Sequence, residues 1–429
     1  MLQAERRFGF GPSGGQPYPA DGQAWLRQQL DVPDPLLERT GPTSANGILV
    51  QRGAYQERAQ SGMTTYGSAD LYRDDMAALL NNAVATSLPF RERLVWFWAN
   101  HFTASAKAGG YTLALAGAFV REAIRPHVTG RFTDMLKAVM QHPDMLFYLD
   151  NWTSTGPDSP EGMKLRRGLN ENLARECLEL HTMGINSGYT QADVTMFAAI
   201  LSGRTANFDS DTPGFLFKAS MHQPGPKTML GRTFPAGFEG SEQALDFIGT
   251  HPATYRHLAH KLVRHFIADE PPPHCVDTVT AVLHQTDGAL KPAVLALVDM
   301  PEAWVPLTKF RSPAEYVVAL QRALNLPPPA RGAGPFEAAL NIGQPFMSPL
   351  LPNGWPDTAA DWISGEALLK RADYAMTQAL RPGAPDAQAV LAATISDVCS
   401  PATRAAVAAC PNNAEALATV LASPEFMRR

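Results

Sequence analysis

The chain has 429 residues, with 36 Lys and Arg against 41 Asp and Glu, and its formal charge of −5 lacks the basic excess that binding to nucleic-acid phosphates demands. Apolar residues make up 45% and charged residues 18%, the latter below the ~25% of an average soluble domain, which excludes wholesale disorder and calls for a large buried core. Proline (36) and glycine (33) fall short of low complexity and point to many short elements with firm boundaries.

The N-terminal run has Glu5, Arg6 and Arg7 where an export signal needs an apolar segment, and no stretch of ~18 consecutive apolar residues follows it. The expectation is a chain with no transmembrane segment, cytoplasmic for want of a leader, with the periplasm as the alternative. From Leu71 to Val84, apolar residues recur at helical spacing until Leu88-Pro89 breaks the pattern. Phe90 to Phe102 carries Phe90, Leu94, Phe97, Trp98 and His101 on one stripe and Val95 and Trp96 on the other side, the mark of a central, buried helix. Asp134 to Met140 reads as helical, and so does Asn170 to Gly184. Thr190 with Asp193, and Ser312-Pro313 with Glu315, fit the capping box that opens a helix.

Residues 215–221 alternate in polarity, His222 to Lys227 turns the chain, and Thr228 to Phe234 returns, which predicts a β-hairpin inserted at 206–240. His251-Pro252 begins a helix that sends Tyr255, Leu258, Leu262 and Phe266 inward, and Ala359 to Leu380 reads as another. Proline-rich breaks fall at 270–273, 326–329 and 344–356. The expected fold class is mainly α, with more than ten helices and one small hairpin. Four cysteines lack CxxC spacing; only Cys399 and Cys410 invite pairing, and two small half-buried thiols are the equally open alternative.

The densest polar cluster is Asn170 to Gly184. Its i,i+4 pairs Glu171–Arg175 and Arg175–Glu179 are explained by an ordinary exposed helix face. The functional alternative has Glu171, Glu176 and His181 converging with His101 from the aromatic helix, as an acid–base pair or a carboxylate–imidazole metal site. On a 3.6-residue repeat Glu176 and His181 diverge, so ligands have to come from several helices. Arg256, His257, His260, Lys261, Arg264 and His265 form one basic face, suited to a phosphate, a carboxylated substrate or an acidic partner; the plainer account is a solvated face balanced by Asp269 and Glu270. His222 and Lys227 bracket a turn, and Asn341 to Trp355 is suited to walling a pocket or to covering a core edge. No GxSxG elbow, Gly-rich phosphate loop or dinucleotide signature occurs.

The run Asn170 to Gly184, followed by Gly188 to Val194 and Leu201-Ser-Gly203, resembles the signature of a bacterial domain-of-unknown-function family, the eighteen-hundred family. Arg6 to Gly11, Phe97 to Phe102, His222 to Gly231, Lys261 to Phe266, Arg311-Ser-Pro313, Gly354-Trp-Pro356 and Ser423 to Phe426 are similar to its motifs in order. The resemblance implies one large domain over 1–429, with 331–429 as a C-terminal helical extension. It also implies a protein partner resembling the alkaline phosphatase and sulfatase superfamily, and export for some members. Cys177 departs from its pattern, standing where a larger aliphatic residue is usual.

The leading expectation is a hydrolase with His101, Glu171, Glu176 and His181 around a polar pocket, Arg175 orienting a carboxylate, and a divalent metal held by His101, His181 and Glu176. Asn100, Asn170, Asn172, His222, Lys227, Lys261, Arg264 and Trp355 are the candidates for binding. The alternative is a non-catalytic binding or scaffold protein that offers its basic face to the phosphatase- or sulfatase-like partner.

Overall fold

A computed structural model describes residues 2–13, 20–37, 41–61, 67–185, 187–208, 211–326 and 334–429. Helices dominate these residues, more than ten of them, and the strands are confined to two small antiparallel pairs. The fold is mainly α, as the periodicity predicts.

The helix Ser68–Ala85 starts at Gly67, whose backbone N–H donates to the Asp70 carboxylate at 3.0 Å. After the Leu88-Pro89 break, Pro89 occupies the first position of the aromatic helix Pro89–His101, which is buried almost throughout. Its charges are buried too, so they have to be paired. Arg125 grips Glu92 with two hydrogen bonds of 2.8 Å, and Arg93 reaches Glu315 and the Gly9 carbonyl. Phe90, Trp98 and Phe102 pack there with Phe8, Phe132 and Phe266 in the main core.

Both capping boxes form: Thr190 opens the helix Gln191–Leu201, and Ser312 opens Pro313–Leu324. The second helix is buried on every side. It gives Ala314 to the main core and Tyr316, Val317 and Leu320 to a second cluster with Leu391, Leu417 and Phe426. The C-terminal residue returns beside it, with Arg429 and Lys309 exchanging backbone hydrogen bonds of 2.8 and 3.1 Å.

Three local expectations need correction. Phe215 and its neighbours do not pair with 228–234; β2 (Gly214–Phe217) pairs backward with β1 (Arg204–Asn207), and β3 (Lys227–Met229) pairs with β4 (Arg232–Phe234). A 3-10 turn at Ala219–Met221 separates the two ribbons, and alternation alone names no partner strand. The helix expected over 359–380 is two, Ala359–Trp362 and Gly365–Ala379, because Ser364 caps the second through the Ala367 N–H. Asn172–Glu176 is α-helical, but Cys177–His181 is a π turn, so the 3.6-residue geometry does not govern Glu176 and His181. Cys399 and Cys410 are both free thiols.

Candidate functional site

On the helix Pro252–Phe266, Leu258, Leu262 and Phe266 are fully buried. His257, His260, Lys261, Arg264 and His265 follow one another at i, i+3, i+4, i+7 and i+8, and therefore share the opposite stripe. That stripe does not face open solvent. It forms one wall of a cleft of about 550 Å³ whose other wall is Arg93, Trp96, Phe97, Asn100 and His101 of the aromatic helix. Only Arg256 stands outside, paired with Asp277 on the surface. Periodicity assigned these residues to one face; the segment that covers the face comes from elsewhere in the chain.

The cover is the run 344–361, irregular as far as the short helix Ala359–Trp362. Asn100 clamps it, donating to the Trp355 carbonyl at 2.9 Å and accepting from the Trp355 N–H at 2.8 Å. Ser105 Oγ donates to the Pro349 carbonyl at 2.6 Å, and the Ala106 N–H to the Met347 carbonyl at 2.9 Å. Gly354 permits this approach: its φ is +81°, and a Cβ there would stand 2.4 Å from the Asn100 carbonyl oxygen. Trp96 packs on Phe10 and Phe346 at centroid distances of 4.7 and 4.5 Å, giving the cleft an aromatic side.

The third contributor is the π turn. Its last carbonyls lack helical donors, and two histidines supply them: His101 Nε2 lies 3.0 Å from the His181 oxygen and His257 Nε2 lies 3.1 Å from the Leu180 oxygen. A carbonyl only accepts, so each ring donates through Nε2–H and keeps its lone pair on Nδ1. Gly184, with φ +87°, leaves His257 Nδ1 uncovered, since a Cβ there would lie 2.8 Å from it. Among the described residues the buried His101 Nδ1 has no hydrogen-bond partner, and neither has either ring nitrogen of the fully buried His181.

Lys261 dominates the electrostatics. Protein encloses it, yet it touches solvent through the cleft, and no hydrogen bond or ion pair engages its ammonium among the described residues. Burial pushes its pKa down to about 8; Asp357 opposes this and Arg264 adds to it. Burial, and after it the Lys261 charge, also lowers the three nearby imidazoles. His257 falls to about 4, His181 to about 3, and His101 well below its ordinary value. All three rings are neutral at pH 7.

At the other end His265 Nδ1–H donates to Asp357 Oδ2 at 2.7 Å, and Arg93 Nη1 lies 3.5 Å from its Nε2. Burial alone would raise the Asp357 carboxyl, but His265, Lys309 and Arg429 outweigh it and hold the group well below the usual carboxylate range. Glu315 is held in the same way at about 2, chiefly by Arg429 and Arg93 against the effect of burial.

Of the residues singled out from sequence, Asn100, His101, Lys261, Arg264 and Trp355 line the cleft, and His181 is buried behind it. Glu171 and Arg175 pair with each other at 2.9 Å on the surface, and Glu171 also accepts from Gln191 and Thr195. Glu176 is half-buried, its carboxyl raised by burial and by Glu179, which does line the cleft. Asn170 caps the Asn172 N–H. His222 is saturated, with Nδ1 on the Ser202 carbonyl and Nε2 accepting from Lys227 and the Gly237 N–H. His101, His181 and Glu176 do not bring three ligand atoms together; among the described residues, His274, Cys275 and Glu302 do. Phe346 lies in the 341–355 run read as suited to walling a pocket, and it does line the cleft. Asp357 and Glu315 were missed as site residues; the sequence signal beside Asp357 is Gly354-Trp-Pro356, and Glu315 was read only as a helix cap.

Segments 97–102, 179–184, 261–266 and 354–356, separated by up to 250 residues, thus meet at one place, and they are segments on which the family resemblance was read. Fold and site together define a mainly α protein with a cation- and imidazole-lined cleft closed by an irregular aromatic segment. The chain belongs to the family described as protein of unknown function (DUF1800), whose model matches residues 3–428. No curated protein and no solved structure matches it. No helix among the described residues is long and apolar enough to cross a membrane.

Proposed function

We propose that the cleft is the working site and that the protein is a hydrolase for a substrate carrying a carboxylate or phosphate group. The observation that supports this most directly is Lys261, an enclosed ammonium with no counter-ion bonded to it among the described residues. A charge without a bonded partner in such a place is costly, and an anionic ligand supplies that partner. Arg264 adds a second cation, since among the described residues its one hydrogen bond runs from Nε to the Asp269 carbonyl.

In this reading Lys261 and Arg264 hold the anion while Trp355, Phe97 and Phe346 exclude bulk water. His257, one turn before Lys261, is neutral at pH 7 and takes a proton from the attacking water at Nδ1. The Lys261 ammonium then faces the negative charge that develops on the attacked group. His101 and His181 are positioning residues: one ring and one carbonyl lock the π turn against the aromatic helix. The scaffold reading has less support, because the basic stripe lies inside the cleft and exposed Arg256 already has Asp277.

The test is calorimetric titration of the full chain with phenyl phosphate and benzoate, followed by a panel of chromogenic esters and phosphate esters. Binding is expected in the wild type and in His257→Asn but lost in Lys261→Met, with turnover lost in both variants. Equal binding by the wild type and Lys261→Met would overturn the assignment.

A further inference from the structure

Away from the cleft, the helix Pro273–Gln285 begins with His274 and Cys275, and the 3-10 turn Pro301–Trp304 places Glu302 against them. His274 Nε2 lies 2.7 Å from Glu302 Oε1, Cys275 Sγ lies 3.3 Å from His274 Nε2, and the thiol and the Glu302 carboxylate are hydrogen-bonded. Three ligand atoms of three kinds therefore close a triangle, each within 4.8 Å of the others. Side chains of adjacent helical residues normally diverge. Here their tips meet because the turn carrying Glu302 draws them together.

We propose that His274, Cys275 and Glu302 bind a thiophilic divalent cation, Zn²⁺, and that the ion clamps the Pro301–Trp304 turn to the start of the helix. Sulfur, imidazole nitrogen and carboxylate oxygen are the donor set that Zn²⁺ accepts, whereas Ca²⁺ and Mg²⁺ take oxygen ligands. Bonds of ~2.0–2.3 Å in a tetrahedron place neighbouring ligand atoms roughly 3.3–3.7 Å apart. The triangle needs to open by only about half an ångström at the His274–Glu302 edge, and Glu302 sits on a partly exposed turn that permits it. His274 is 67% exposed, which leaves the fourth position to water.

Binding is a ligand exchange without redox change. The Cys275 S–H bond breaks, its proton leaves to solvent, and the sulfur–zinc bond forms; His274 binds through Nε2 with its proton on Nδ1, and Glu302 through a carboxylate oxygen. The buried thiol, raised to about 11 by burial and Glu302, keeps its proton until the ion displaces it.

The experiment adds Co²⁺ to the full-length protein, records the thiolate-to-cobalt absorption in the near ultraviolet, and displaces the cobalt with Zn²⁺. The expected result is one equivalent bound per chain, proton release on Zn²⁺ addition, and a raised melting temperature. Glu302→Gln, a substitution of the same shape at a half-exposed position, weakens binding at least ~10-fold, and His274→Ala does the same. Alanine at His101 and His181 leaves it unchanged. Absence of the thiolate band in the wild type, or a band that survives His274→Ala and Glu302→Gln, would overturn the proposal.

Discussion

Replacing Lys261 by methionine makes the protein more stable while removing its proposed ligand anchor. The side chains are similar in length and apolar volume, so the main change is loss of the charge. In the fold the ammonium titrates near 8 instead of 10.5. That gap is about two and a half decades of proton affinity at ~1.4 kcal/mol each, a cost of about 3 kcal/mol for the charged form. Lys261 still touches water through the cleft, and solvent screening reduces the expected gain to about 1–3 kcal/mol. Since the folded pKa lies below the unfolded one, the unfolded chain binds more protons between them, and wild-type stability rises with pH over that interval. The penalty is complete below pH 8 and gone above 10.5. Urea unfolding of wild type and Lys261→Met, compared at steps from pH 7 to 10.5, reads the difference directly. If the variant is the less stable at pH 7, and by the same amount at every pH, Lys261 is a paired structural charge and the argument for an anion site fails.

The pH profile of turnover should be bell-shaped, rising as His257 loses its proton near 4 and falling as Lys261 loses its own near 8; Lys261→Arg should remove the falling limb, and steady-state kinetics on the best substrate checks both. Asp357→Asn removes the carboxylate that accepts from the His265 ring and that Lys309 and Arg429 also face, although these two keep Asp269 and Glu315, and should cost about 2 kcal/mol at pH 7 by denaturant unfolding. Because Asp357 is held below its ordinary value, that contribution is present above ~3.9 and is lost as pH falls, so the variant's stability should change less with acid than the wild type's. Gly354→Ala forces a Cβ onto the Asn100 oxygens at a positive φ, and should cost about 2 kcal/mol and weaken phenyl phosphate binding in the same calorimeter. Glu171→Gln removes one exposed i,i+4 pair, and should shift stability by no more than ~0.5 kcal/mol with ligand binding unchanged.

Helix starts were legible because capping is a local matter: Thr190 with Asp193, Ser312 with Glu315 and Pro252 after His251 each satisfy N–H groups within one turn. The same holds for the two faces of Pro252–Phe266, which depend only on spacing. The π turn at Cys177–His181 was not legible, since nothing local distinguishes it from a further α-helical turn; His101 and His257, from distant helices, take its carbonyls. Strand pairing of Gly214–Phe217 was open for the same reason, the alternation being equally compatible with a partner on either side.

The amino-acid order by itself determined a helical protein, its main element boundaries, the buried aromatic helix, and the stripe that carries Lys261. It did not determine that Glu171 and Arg175 point to solvent while Lys261 and His257 turn into a cleft. That was decided by residues 344–361 crossing the stripe, fastened by Asn100 and admitted by Gly354. Burial and charge pairing depend on what lies across from a residue, and for Lys261 that is a segment almost a hundred positions away.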